Sequence, residues 1–289
     1  MYAGIEAGGT KFVCAVSDEK LNILQRISFP TTLPEETIDR VSDFFNKFEH
    51  IKSIGIGSFG PVDIDENSKT YGYITSTPKP GWRDYNFLGD MKSRYSVPIA
   101  WNTDVNAACL AEYEFGAAKD VQSAVYLTLG TGIGGGAIQS GHFIGGISHP
   151  EMGHIAVRRH PDDDFEGWCP YHKDCLEGLA AGPSVEKRLG IRGENVDKNH
   201  KIWEILAYYI AQGLTSYSLI LRPERIILGG GLSKNQRLIE LIRNKTFELA
   251  AGYISLPEKS RYIVLPKFGD NAGIMGALAL AEKIYKGKK

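Results

Sequence analysis

Residues 2–17 read YAGIEAGGTKFVCAVS, and residues 124–139 read AVYLTLGTGIGGGAIQ. Each stretch is a strand-forming run, a Gly/Thr turn and a second strand-forming run. In the first, residues 2–6 lead out, Ala7, Gly8, Gly9 and Thr10 turn, and residues 11–17 return with Phe12, Cys14 and Val16 alternating. In the second, residues 123–129 run into a turn with five glycines in seven positions (130–136), and a strand resumes near Ala137. A pattern met twice argues for two related domains facing each other. That glycine density is hard to explain unless the backbone must approach something closely. Turn amides of this kind favour an anion such as phosphate, and Thr10 and Lys11 add a hydroxyl and a charge. For the first hairpin a plain turn explains the residues as well.

Outward from the first hairpin, residues 22–28 read as a third strand. Thr32, Pro34 and Glu35 form a capping-box start, and the helix they open runs to about Phe48. Residues 53–57 return as an apolar strand ending in Ser58, Phe59, Gly60 and Pro61, a turn at the carboxyl end where open α/β sheets gather ligands. Residues 63–90 read as polar loops, with Gly81 and Trp82 in a Pro-Gly segment that suits a carbohydrate wall or a loop plug. Residues 97–101 are a strand running into Asn102, Thr103 and Asp104, and a helix follows to about Phe115. Asp104 therefore reads either as that helix's N-cap or as a general base exposed at the strand's end.

The second half continues in the same style. Pro183 starts a helix within residues 178–189, and residues 202–221 form a long apolar helix stopped before Pro223. Residues 225–228 are a strand, followed by Gly229, Gly230, Gly231, Leu232 and Ser233, with a helix expected from Lys234. Three glycines there permit a flat group such as adenine, or only a tight turn. Residues 262–265 are the last strand, residues 271–285 an Ala/Gly-rich helix, and residues 286–289 a solvated basic tail.

Between these halves lies EMGH (residues 151–154), a polar loop, and CPYHKDCLE (residues 169–177). His154, Cys169, His172 and Cys175 are separated by 15, 3 and 3 positions. Two imidazoles and two thiolates suit a tetrahedral zinc, and four protein ligands leave no open position, so the metal reads as structural. A Cys169–Cys175 disulfide is the competing reading. Glu151 and Glu177 flank the ligands, and carboxylates held so rigidly are good receivers for sugar hydroxyls. The expectation is a metal that braces one wall of a sugar pocket.

The whole chain bounds the rest. Its 289 residues favour about two domains. A formal net charge of −1 gives no global field for nucleic acid or membrane. No apolar run approaches the ~20 residues that cross a bilayer. The chain enters a strand at once, with no export signal, so a cytoplasmic protein is the expectation. Of four cysteines, Cys14 and Cys109 lie in apolar patterns and read as core.

With these residues in place, the chain resembles the ROK family of sugar kinases, and within it the bacterial fructokinase branch. The likeness spans nearly the whole length. It rests on GIEAGGTK (residues 4–11), NTDVNAA (residues 102–108), the glycine loop at 128–136, EMGH (residues 151–154) and CPYHKDCLE (residues 169–177). It implies an α/β fold of two actin/hexokinase-like (ribonuclease H-like) domains with the active site in a cleft between them. Residues 1–115 would form the smaller domain, with helix 271–285 packing back on it, and residues 116–289 the larger domain with the zinc loop. The catalytic base maps onto Asp104. Zinc ligands map onto His154, Cys169, His172 and Cys175. Sugar contacts map onto Asn102, Thr103, Glu151, His154 and Glu177, with Gly60, Pro61, Gly81 and Trp82 nearby. Nucleotide contacts map onto Thr10, Lys11, Thr131, Gly132, Pro183, Gly229, Gly230, Gly231, Lys234 and Asn235. The implied chemistry is transfer from Mg-ATP to a hexose, fructose first, with mannose or glucose as alternatives and a non-catalytic sugar sensor as the rival class. A homodimer is implied as well. Two departures stand out. Lys173 replaces a glycine of the fructokinase-like pattern. Glu6 stands where many relatives carry Asp, its longer arm still able to reach a magnesium-bound water.

Overall fold

Strand β1 (Tyr2–Ala7) turns through residues 8–10 into β2 (Lys11–Ser17), paired antiparallel from Tyr2↔Ser17 to Ala7↔Phe12. In this computed structural model, which describes residues 1–287, the basic tail's last residues, Lys288 and Lys289, lie outside the described residues. Strand β3 (Ile23–Pro30) pairs antiparallel with β2 and forms the sheet edge, with Ile23, Ile27 and Phe29 half-buried and its other positions exposed. Helix α1 (Pro34–Phe45) then crosses to β4 (Ser53–Ser58), parallel to β1. The helix buries Ile38, Val41, Phe44 and Phe45, as its periodicity requires. Its N-cap is Leu33 and not Thr32; Thr32 donates its N–H back to Thr37 Oγ1 at 3.1 Å. The helix also stops three residues before Phe48, where two tighter backbone bonds, Lys47 N–H to Phe44 O and Phe48 N–H to Phe45 O, close the end.

Residues 63–90 hold more regular structure than their polarity suggests. Short strands β5 (Tyr73–Ile74) and β6 (Tyr85–Asn86) pair, and α2 (Phe87–Arg94) follows, capped by the Asn86 side chain. Strand β7 (Ile99–Thr103) is parallel to β4 and gives way to α3 (Asp104–Phe115). The sheet order is β3-β2-β1-β4-β7.

Trp82, expected near the sugar, is a core residue. Its side chain is wholly buried, its ring packs with Phe12, Phe59, Tyr85 and Phe87, and its Nε1–H donates to Thr32 O at 2.8 Å. The indole therefore offers a ligand no face. Gly81 beside it is exposed with φ +79°, a turn position where a side chain would also meet Pro34.

The second sheet begins with β8 (Ser123–Leu129), β9 (Ile133–Gln139) and β10 (His142–Phe143), antiparallel in turn. Helices α4 (Leu176–Ala180), α5 (Gly182–Leu189) and α6 (Ile202–Ile220) precede β11 (Arg225–Gly229), which lies parallel to β8. Helix α7 (Gln236–Ala250) and a single turn, α8 (Lys259–Tyr262), lead to β12 (Ile263–Val264), parallel to β11. Tyr262, expected to open that strand, sits in the turn before it. The order β10-β9-β8-β11-β12 repeats the first sheet's plan strand for strand, two antiparallel neighbours followed by two parallel ones.

The final helix, α9 (Ala272–Tyr285), covers the first sheet. Its approach is close enough that a Cβ on Gly55 would sit 1.9 Å from Ala277 O, and Ser53 Oγ donates to Ala281 O at 2.6 Å. The chain accordingly divides into two compact units. One comprises Met1–Gly116, Ile144–His149 and Asn271–Lys289; the other comprises Ala117–Phe143 and Pro150–Asp270.

Candidate active site and metal centre

In the first unit, three strand ends lie side by side. The registers Ala7↔Ser58 and Ser58↔Thr103 bring the carboxyl ends of β1, β4 and β7 into one row. Thr10 and Lys11, Gly60 and Pro61, and Asp104 therefore follow neighbouring strands, where parallel sheets hold ligands. The first hairpin is fixed from behind: Gly8 N–H donates to Lys11 O at 3.0 Å, and Thr31 donates its hydroxyl to Gly8 O at 2.7 Å and its N–H to Thr10 O at 2.9 Å. Thr10 and Lys11 are exposed.

Asp104 is not the N-cap of α3. Thr103 is, its hydroxyl accepting from Asn106 N–H at 3.0 Å. Asp104 occupies the first helical position, half-buried, with Oδ1 accepting from Val105 N–H at 2.8 Å. The capping reading of Asp104 thus falls to its neighbour. Thr103 is buried and engaged as the cap. Asn102 is buried too, its Oδ1 accepting from Thr103 N–H and Asn106 Nδ2, both at 2.8 Å. Gly57 lets α3 start so close to β4: a Cβ there would lie 2.8 Å from Ala107 Cβ. Glu6, half-buried, faces Gly273, where a Cβ would stand 2.6 Å from its carboxyl carbon.

In the second unit the four candidate metal ligands converge. One donor atom from each of His154, Cys169, His172 and Cys175 lies within 4.8 Å of every other. His154 Nδ1 is 3.7 Å from Cys169 Sγ and 3.6 Å from Cys175 Sγ, and His172 Nδ1 is 3.9 Å from Cys169 Sγ. A tetrahedral zinc with ordinary Zn–S and Zn–N lengths has an S···N edge of about 3.6 Å, so the donor set and its spacing fit that ion. All four cysteines are free thiols, which removes the disulfide reading. Burial pushes the Cys175 thiol up to about 11, against a lowering hydrogen bond from Gly178 N–H. A cation at the site works the other way, favouring thiolate.

The loop's shape follows from local bonds. Cys169 and Lys173 exchange backbone hydrogen bonds at 3.0 and 3.3 Å, and Cys175 caps α4. Lys173 takes φ +53°, a left-handed conformation that is strained for a residue carrying a Cβ, and it is exposed.

His154 faces two ways. With Nδ1 toward the thiols, Nε2 lies 4.0 Å from both Glu151 Oε2 and Glu177 Oε1. The other Glu177 oxygen accepts from Ile133 N–H at 2.9 Å, at the mouth of the second hairpin. One carboxylate therefore ties the loop of the four candidate ligands to the glycine turn. Gly153 makes the approach possible, since a Cβ on it would lie 1.7 Å from Ile133 O.

The nucleotide candidates of this unit gather at one edge. Gly130 N–H donates to Gly132 O at 3.0 Å, closing the turn around Thr131, and Gly182 N–H donates to Gly130 O at 2.8 Å, drawing Pro183 and the start of α5 to it. The register Thr128↔Gly229 sets the Gly229, Gly230 and Gly231 turn alongside. Gly230, at φ +83°, passes so near Leu129 that any Cβ would clash with its backbone. Lys234 pairs with Asp270 at 2.8 Å, and Asn235 is the N-cap of α7, accepting from Leu238 N–H.

Residue-level reading missed Asp163, Arg188 and Tyr209. Asp163, between His154 and Cys169, accepts two bonds from Arg188 on α5 (3.0 and 2.7 Å) and one from Tyr209 on α6 (2.7 Å). Arg188 also donates to Leu179 O and Ser184 O and stacks on Phe165. The three consecutive acids at 162–164 were a visible signal, but their partner on α5 was not.

The chain belongs to the ROK family, whose model matches residues 2–284. It is 50% identical over 289 residues to a fructokinase of Streptococcus mutans serotype c, covering 98% of this chain and 98% of that protein. It is 50% identical over 287 residues to a fructokinase of Lactococcus lactis subsp. cremoris, again covering 98% of each. A solved ROK family glucokinase from Streptomyces griseus, in complex with glucose and AMPPNP, is 25% identical, with 98% of this chain and 99% of that chain covered and a TM-score of 0.80.

Proposed function

We propose that this chain phosphorylates a free hexose from ATP, with D-fructose as the acceptor and its 6-hydroxyl as the attacking group. The observation that carries the chemistry is Asp104: a half-buried carboxylate at the first position of α3, at the carboxyl end of β7, one strand away from the Gly60–Pro61 turn. The fructokinase relatives carry the choice of sugar.

The Asp104 carboxylate accepts the hydroxyl proton while the sugar oxygen bonds the γ-phosphorus. The bond from that phosphorus to the β–γ bridging oxygen breaks, and ADP departs. Positioning and fixed dipoles supply most of such catalysis. Gly60, Pro61, Asn102, Glu151, His154 and Glu177 are the hexose contacts in this reading. Thr131, Gly132, Pro183, Gly229, Gly230, Gly231, Lys234 and Asn235 hold the nucleotide, with Thr10 and Lys11 toward its phosphates. Glu6 is the residue to hold a magnesium ion through water, an ion that offsets phosphate charge when bound. Zinc at His154, Cys169, His172 and Cys175 stiffens the loop that carries Glu151 and Glu177 and takes no part in the reaction. Reduced thiol ligands and an ATP donor suit a cytoplasmic setting. A homodimer is the inferred assembly. Its supporting feature is an exposed apolar group, Leu219, Ile220, Leu249 and Tyr253, at the adjoining ends of α6 and α7.

The test is ADP release with fructose, mannose and glucose, compared by kcat/KM. Asp104→Asn should lose about 10²–10⁴ in kcat while still binding fructose. Near-normal turnover in that variant would reject the base assignment, and a higher kcat/KM for another hexose would reassign the acceptor.

A further inference from the structure

The chain leaves the second unit after Phe143, gives six residues to the first, and returns at Pro150, one residue before Glu151. Within those six, Gly145 takes φ +154° in a bend where a Cβ would lie 2.4 Å from Ser148 O. The segment ends on His149, whose Nε2 accepts the Val62 N–H at 3.2 Å. The ring edge also lies along Gly60, with Cε1 3.6 Å from where that residue's Cβ would stand. The rest of the turn is held from the other side. Pro61 O accepts from Thr75 N–H at 2.8 Å and from the Thr75 hydroxyl at 3.1 Å, and Phe59 N–H donates to Ala7 O at 2.7 Å. Val62 is buried, so its N–H needs an acceptor inside the protein.

We propose that His149 is a positioning residue for the hexose: by accepting the Val62 N–H it fixes the Gly60–Pro61 turn in the shape that receives the sugar. This rests on the proposed function, in which that turn contacts the hexose. A backbone amide can only donate, so Nε2 must present a lone pair and the ring proton must sit on Nδ1. The role therefore requires an acceptor at that reach, not merely a ring. Glutamine can place its Oε1 near the same point; phenylalanine keeps the bulk and removes the acceptor. Loss of the acceptor strands a buried donor and should weaken sugar binding by roughly 5- to 100-fold.

The experiment compares the full chain with His149→Phe and His149→Gln, measuring fructose binding by calorimetry and, separately, the KM values for fructose and ATP. In His149→Phe the fructose Kd and KM should rise together by that factor, with the ATP KM within about twofold and kcat within about threefold. His149→Gln should recover most of the affinity. Unchanged fructose affinity in His149→Phe, an equal rise in the ATP KM, or a His149→Gln variant as weak as His149→Phe would each overturn the role of His149 while leaving the kinase reading standing. A wild-type chain that binds fructose, mannose and glucose in no measurable way would overturn both.

Discussion

Asp163→Ala is the sharpest test of how the loop between the candidate ligands His154 and Cys169 is held. Asp163 and Arg188 have side chains only 4% and 8% exposed, and the carboxylate receives both Arg188 bonds and the Tyr209 hydroxyl. Removing the acid leaves a guanidinium buried without its counter-charge. Breaking a buried pair in this way costs about 3–5 kcal/mol. At roughly 2–4 °C per kcal/mol for a unit of this size, even the lower figure should bring the unit's unfolding midpoint down by about 6–12 °C. Thermal unfolding followed by circular dichroism measures it. The double variant Asp163→Ala/Arg188→Met should be less damaged than Asp163→Ala alone, because no stranded charge remains. The pH dependence has a definite sign. Burial works to raise the Asp163 carboxyl, but the Arg188 and Tyr209 hydrogen bonds outweigh it and hold it below the usual range. A depressed folded value means stability present above the unfolded pKa, about 3.9, and lost as pH falls through the folded one. The gap between wild type and Asp163→Ala should thus stay constant near neutrality and narrow below about pH 4. A midpoint shift under about 2 °C at pH 7 would refute the reasoning.

Metal analysis of purified protein should find one zinc per chain, and Cys175→Ser should lose it together with several degrees of thermal stability; a metal-free wild type of full activity would remove the zinc assignment. Lys173→Gly should relieve the left-handed strain and stabilise the metal loop by roughly 0.5–1 kcal/mol, read as slower zinc transfer to a chelator, with faster transfer the contrary result. Gly153→Ala cannot be accommodated without moving backbone against Ile133 O, so it should raise the fructose KM and loosen zinc together; an unaffected enzyme would contradict the packing. Thr103→Ala should cost about 1 kcal/mol through the lost cap and lower kcat by disturbing Asp104, whereas Thr103→Ser should retain both.

What the sequence made legible was whatever local chemistry fixes. The twin glycine hairpins have strand-turn-strand signals of short range, and both sheets grow from them. The convergence of the candidate donors was equally readable, since the spacing of Cys169, His172 and Cys175 brings three of them together within one loop. Elements decided by distant partners were not. Helix α2, eight residues long, has too short a pattern to stand out, and it is placed by the buried contacts of Phe87, Leu88 and Met91. Trp82 looked like a loop aromatic because nothing nearby shows that Phe12 and Phe87 surround it. Asp104 and Thr103 are both good caps, and only the observed bond to Asn106 tells which one serves. The Asp163–Arg188 pair spans 25 positions, and His149 meets Val62 across 87; no periodicity reports such pairings.

Neither unit is a contiguous stretch of chain, and this bears on how the protein is made. The first sheet's strands emerge from the ribosome early, yet Gly4 and Gly55 are shaped to lie against a helix that begins only at Ala272. Until that helix has been synthesised, α3 alone covers that face of the sheet, and the part of β1 and β4 around Gly4 and Gly55 stands bare to the cell. Growing chains stalled before residue 272 should therefore be caught by chaperones that clasp apolar strands, and release should coincide with the last helical turns leaving the exit tunnel.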